Sequence, residues 1–214
     1  MKNYLYVGLF VLLVSLSSAA HAAVVGIGDF TPNGGGVYDM TTGTGSVNDT
    51  GIESFVGLVA GTLDTLQPKN ARHGSALMDT ITISTGDIFS FDWAWTSNES
   101  SNSFYNDFAF TSLSLDGAVV IADTYTPDGT TGSFSWTATT SGMLTYGVGV
   151  MDAYDYYVSS YLTVSNISVG PIPNPEPTTL LLMGVGIVGL IERATRKKLK
   201  KNIVDKSIGN YLSS

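Results

Sequence analysis

The chain has 214 residues, of which 43% are hydrophobic and 13% charged, and it contains no cysteine. That is enough for one core-forming domain with end segments, and it excludes thiol catalysis, disulfides and zinc–thiolate sites. The formal net charge is −8, unevenly spread: +1 before residue 23, −13 from Ala23 to Asn174, and +4 from Pro175 onward. In the central part only Lys69 and Arg72 are basic. Binding nucleic acid requires clustered Lys and Arg to neutralise phosphates, so a nucleic-acid partner is not expected.

In chain order, Met1-Lys2 leads into the apolar run Tyr4 to Val14. Small residues from Ser15 to Ala23 follow and include Ala20-His21-Ala22. A positive start, a short apolar stretch and an A-x-A site describe a secretory signal peptide over residues 1–22, cleaved after Ala22. The apolar run is shorter than the ~20 residues a membrane span needs.

The body, residues 23–170, opens with Gly-, Thr- and Asn-rich sequence around Pro32 and Gly34-Gly35-Gly36, which predicts turns and a short first strand. Ile52 to Leu66 fits either a helical stripe or two short strands. Ala76 to Ile83 reads as a strand, and Ser84 to Asp87 as a turn. Phe89, Phe91, Trp93 and Trp95 then share one face of the next strand. Thr96 to Asn106 predicts an exposed loop. Asp116-Gly117 predicts a hairpin between strands at Asp107–Leu115 and Ala118–Asp123. A strand with Phe134 and Trp136 inward follows, then another over Leu144–Val150, a loop at Asp152–Asp155, and a last strand from Ser159 to Val169. The Gly147 and Gly149 pair inside a strand predicts a bulge or room for a neighbouring ring. Frequent short strands with turn chemistry between them predict an all-β sandwich or barrel.

Candidate chemistry is sparse. Asp123, Asp128, Asp152 and Asp155 fall at predicted strand ends or turns, where oxygen-rich loops can hold calcium. Asp123, Asp152 and Asp155 are the candidate ligands, although Asp is also an ordinary turn residue. Tyr154, Tyr156 and Tyr157 beside them offer flat faces for a sugar, whereas the tryptophans belong to the core. Glu53 and Glu99 are the only glutamates of the body, and His73 is its one histidine, expected in an exposed loop. No G-x-S-x-G elbow is present, and an enzyme is not expected. Gly184-Val-Gly186-Ile-Val-Gly189 spells a dinucleotide fingerprint but lacks the βαβ unit that gives it meaning. Three N-x-[ST] matches, at Asn48, Asn98 and Asn166, carry little weight in a Ser/Thr-rich chain.

The tail has three parts in order. Residues 171–177 end in Pro175-Glu176-Pro177, which neither a strand nor a helix continues through. Thr178 to Ile191 is apolar and as a helix extends ~21 Å, short of a ~30 Å bilayer core. The basic flank Arg193, Arg196, Lys197, Lys198, Lys200 and Lys201 suits the cytoplasmic side and can snorkel. Residues 178–201 are therefore expected to form a transmembrane sorting helix with its basic cluster, followed by a polar tail over 202–214.

Those residues resemble a PEP-CTERM sorting signal, whose motif here is Pro175-Glu176-Pro177, the Leu/Gly-rich segment and the Arg/Lys cluster including Arg193, Arg196, Lys197 and Lys198. The resemblance covers about the last forty residues. It implies an exported Gram-negative protein held transiently in the inner membrane. An exosortase-type enzyme recognises it at Pro-Glu-Pro, and it is delivered to the cell surface or the exopolysaccharide matrix. Members usually stop soon after the basic cluster, whereas this chain runs on to Ser214. The body is loosely similar to the jelly-roll domains such proteins carry, at Gly132-Ser-Phe-Ser-Trp136, Ser141-Gly142 and Ser160 to Val169. The expected function is a structural or adhesive role at the surface or in the biofilm. The alternatives are a carbohydrate-binding, calcium-stabilised jelly roll and a secreted glycan-active enzyme.

Overall fold

The computed structural model describes residues 23–67, 70–99, 105–154 and 158–171, together with Val185, Arg193 and Arg196. The chain divides into two units, 1–170 and 171–214.

The first unit is a β-sandwich with a helical cap. Its strands are β1 (Val25–Ile27), β2 (Asp29–Gly34), β3 (Val37–Thr41), β4 (Val47–Asn48), β5 (Ala71–Ile83), β6 (Asp87–Ser97), β7 (Phe108–Leu113), β8 (Gly117–Asp123), β9 (Thr130–Thr137), β10 (Gly142–Ala153) and β11 (Ser160–Pro171). One sheet has six strands in the order β1-β5-β10-β7-β8, with β4 also paired to β5; the other has five, β2-β3-β11-β6-β9. The pairings of β5 with β1, β4 and β10 are antiparallel, as are β10–β7, β7–β8, β2–β3, β3–β11 and β6–β9.

Alternation along the strands builds the core between the sheets. Phe89, Phe91 and Trp95 of β6 face Leu77, Ile81, Leu144, Tyr146, Val148 and Val150 of the other sheet, with Met40, Leu162 and Val164 completing the layer. Trp93, Phe134 and Trp136 pack at its margin, half-buried. The inward aromatic row predicted from period two is therefore the one observed.

The ambiguous stretch after Asn48 is helical: α1 spans Asp49–Val56 and α2 spans Thr62–Leu66. Asn48 caps α1 by accepting the Gly51 N–H at 2.9 Å. Gly57, at φ 75°, ends it in the left-handed conformation that suits glycine. Ile52 and Val56 lie one turn apart and pack with Leu63 on Ala76, Phe108, Phe110 and Met151, forming a second core on the outer side of the six-stranded sheet. Gly149 is room for a ring: a Cβ there would stand 2.7 Å from Phe110 and 2.8 Å from the Ser75 carbonyl.

Several boundaries move. The Gly-rich opening holds four strands, with Gly34, Gly35 and Gly36 all at positive φ in the β2–β3 turn. β5 begins at Ala71, so His73 is a half-buried strand residue opposite Asn48 and Asp152 and not part of an exposed loop. β10 runs on to Ala153 because β5 continues to pair with it. The β7–β8 connection leaves Ser114 to Asp116 between the Leu113–Gly117 pair.

Candidate functional site

At one end of the sandwich the last residues of β6, β8 and β10 meet the first residues of β7 and β11. Asp107, just before β7, is fully buried. Its Oδ1 accepts the Ala153 N–H at 3.1 Å, and its Oδ2 accepts the Ser160 hydroxyl at 2.7 Å. Ser160 Oγ lies 3.2 Å from Ser97 Oγ. Burial pushes the Asp107 carboxyl from 3.8 up to about 6, and the Glu99 charge adds to this; hydrogen bonds from Ser160, Ala153 and Asp152 oppose it.

Asp152, expected in a loop, is instead a strand residue of β10 and is 1% exposed. Asp123 has other partners: its carboxylate accepts the Tyr125 N–H at 2.9 Å and the Gln67 side-chain amide at 3.3 Å. Asp128 accepts the Ser97 N–H at 2.8 Å. Tyr154 stands at φ 71°, with its N–H on the Asn70 carbonyl. Asp155, Tyr156 and Tyr157 lie outside the described residues. Among the described residues, no three His, Asp or Glu form a group able to hold a metal ion.

Glu53 is a structural carboxylate. It is 1% exposed and accepts the Gly61 N–H at 2.9 Å and the Leu63 N–H at 2.8 Å. It thereby satisfies the amino end of α2, where free N–H groups and the helix dipole favour an anion. Glu99 stands at the other place, beside Asp107, so the two glutamates do not converge from one element.

The outer face of the five-stranded sheet is different in kind. It is built from hydroxyls, an amide and carboxylates, each positioned by a cross-strand partner. Thr163 of β11 donates to Asp39 of β3 at 2.7 Å, and Asn166 donates to Asp92 of β6 at 2.8 Å. Ser90 and Ser168 hydroxyls lie 3.0 Å apart. Tyr161 is half exposed at 49%. A shallow groove of about 410 Å³ is lined by Asp29, Thr31, Asp39, Thr41, Tyr161 and Thr163. A second, of about 400 Å³, is lined by Asp92, Ala94, Thr131, Ser133, Thr163 and Ser165. Thr163 lines both, so the two are contiguous across the strands. No single motif marked this face in the sequence; its signal was the outward half of each alternating strand, which reads only as ordinary Ser/Thr-rich surface.

Among the described residues, no helix is long and apolar enough to cross a membrane. Of the expected sorting segment, Val185, Arg193 and Arg196 are described, each helical and exposed. Pro175, Glu176, Pro177, Lys197 and Lys198 lie outside the described residues, as does the signal peptide over 1–22.

Comparison with known proteins gives one family match, to the PEP-CTERM protein-sorting motif over residues 175–198. No curated protein matches the chain. Among solved structures the chain is similar to TmCBM61 in complex with beta-1,4-galactotriose, at 9% identity and a TM-score of 0.33. That alignment covers 70% of this chain and 88% of the other. Downstream of an all-β sandwich with an acidic surface, residues 175–198 thus carry a PEP-CTERM protein-sorting motif, with the Pro-Glu-Pro signature at Pro175 to Pro177.

Proposed function

We propose that this protein is a structural or adhesive component of the cell surface or exopolysaccharide matrix. The motif at residues 175–198 carries that reading, because it implies export and a membrane-anchored sorting step by exosortase-type machinery in a Gram-negative bacterium. What arrives is a β-sandwich with a continuous hydrophobic core between its sheets, as suits a durable scaffold. The role proposed for it is not enzymatic, and Glu53 is committed to capping α2. Replacing Pro175-Glu176-Pro177 by alanines tests the sorting step. The expected result is accumulation in the inner-membrane fraction and loss from the surface; unchanged surface delivery would remove the basis of the reading.

A second reading, carbohydrate binding, is favoured by the outer face of the five-stranded sheet. Asp39 and Asp92 are oriented acceptors, the surrounding Ser and Thr residues donate and accept, and Tyr161 offers a ring face. Such a face complements a neutral polyol and repels an anionic one. Retention on neutral exopolysaccharide, lost in Tyr161→Ala with Asp39→Asn at unchanged Tm, supports it. Equal retention of wild type and variant removes it.

A further inference from the structure

An edge strand presents N–H and C=O groups that can pair with another chain, and folded proteins blunt such edges with shortness, proline, charge, a bulge or a cover. The six-stranded sheet has these devices at both margins. Beside β5 stand only β1 and β4, three and two residues long. At the other margin β8 bulges between its pairings with Ala109 and Phe110 and ends in Asp123. It is also flanked by α2: Leu66 and Val120 pack on the same core, and the Gln67 amide donates to Asp123. The five-stranded sheet begins with β2, which carries Asp29 and Pro32 and shifts register between Pro32 and Gly34.

Its other margin, β9, has none of these devices. Thr130–Thr137 reads Thr-Thr-Gly-Ser-Phe-Ser-Trp-Thr, with no charge and no proline. It pairs with β6 from Thr130–Trp95 to Thr137–Ile88 without a shift in register. Among the described residues no second strand or helix lies along its outer edge. Alternation leaves Thr131, Ser133, Ser135 and Thr137 exposed on the outer face of the sheet. Phe134 and Trp136 sit half-buried at the margin of the core. The edge therefore offers a long flat row of backbone groups with two aromatic rings only partly removed from water.

We propose that β9 is the self-association edge of this protein, joining two copies by antiparallel β9–β9 pairing about a two-fold axis through Phe134. The axis passes through a residue because directly opposed residues face the same side of an antiparallel sheet. Through Phe134 it engages the strand from Thr131 to Thr137. Phe134 then meets its own copy. Trp136 stands opposite the partner's Gly132, beside the Trp93 ring that already lies over that glycine within each copy. On the outer face Thr131 meets the partner's Thr137, and Ser133 meets the partner's Ser135. Past the strand the register sets Asp128 opposite the partner's Thr140, so two acidic bodies join without an acid facing an acid along the seam. Such a contact uses the same patch on both copies and closes as a dimer. It gives the proposed structural role a means of assembly and does not depend on the sorting motif.

The test uses the protein purified from an exporting host, with its mass followed by sedimentation across a concentration series. Wild type is expected to pass from monomer to dimer, with half conversion at or below about 100 μM. Ser133→Glu combined with Ser135→Glu sets like charges opposite each other on both sides of the axis. It should weaken the dimer at least about tenfold at unchanged Tm. Ser133→Lys combined with Ser135→Lys should do the same on its own. Both positions are exposed, so neither pair of changes touches the core. An equimolar mixture of the two variants should dimerise again, because opposite charges then meet in both pairs. Wild type that stays monomeric up to about 100 μM, a dimer no weaker in either variant, or a mixture that remains monomeric overturns the proposal and leaves the sorting reading standing.

Discussion

Asp107→Asn should stabilise the protein at neutral pH. Asp107 is fully buried, and its carboxyl is raised from 3.8 to about 6, chiefly by burial. For an acid raised in this way, the folded state binds more protons than the unfolded one between those two values. Stability therefore falls as pH rises from about 4 to about 6, and levels off above. At 1.36 kcal/mol per pH unit, the loss attributable to this group is on the order of 3 kcal/mol. Asparagine mimics the protonated acid. It keeps an acceptor for the Ala153 N–H and offers an N–H toward Asp152 or Ser160, without the buried charge. Unfolding in urea across pH 4 to 8 reads the effect. Wild type should lose stability over that range, and Asp107→Asn should show a flatter profile and exceed wild type at pH 8 by roughly 1–3 kcal/mol, part being lost to rearranged hydrogen bonds. In a domain of this size each kcal/mol moves Tm by about 2–4 °C. Wild-type stability that rises from pH 4 to 6, or an asparagine variant less stable than wild type at pH 8, would refute the reasoning.

Other sites give sharper yes-or-no outcomes. Glu53→Ala leaves the Gly61 and Leu63 N–H groups without their acceptor and should cost about 1–3 kcal/mol in a denaturant titration; a loss under 0.5 kcal/mol contradicts the capping role. Gly149→Ala forces a Cβ against the Phe110 ring and the Ser75 carbonyl and should cost about 1–3 kcal/mol by the same measurement. Thr163→Val removes the hydroxyl that holds Asp39 on an open face, and should change Tm by no more than a few degrees. On the carbohydrate reading, it should also reduce retention on neutral polysaccharide.

The parts of this fold that a linear reading reaches are those with a strong period. Phe89, Phe91 and Trp95 announce their own burial because bulky rings at every second position leave one face no alternative to the core. The tail is legible for another reason: proline, apolar and basic segments in that order have no use inside a sandwich. The opening strands are not legible, because β1 and β4 have three and two residues and are defined by pairing to β5 rather than by their own composition. The buried Asp152 escapes for the same reason: it reads as a loop residue until β5 is seen to pair with it. Glu53 reads as a candidate acid until α2 is recognised as a helix whose amino end needs an acceptor.

The central claim is that the Pro-Glu-Pro motif directs processing and delivery. It is tested most directly by mass spectrometry of the protein recovered from the cell surface of a strain with a working sorting enzyme. The account predicts a C-terminus trimmed near Pro177, with the apolar segment and basic cluster gone. Surface protein that runs intact to Ser214 would contradict it.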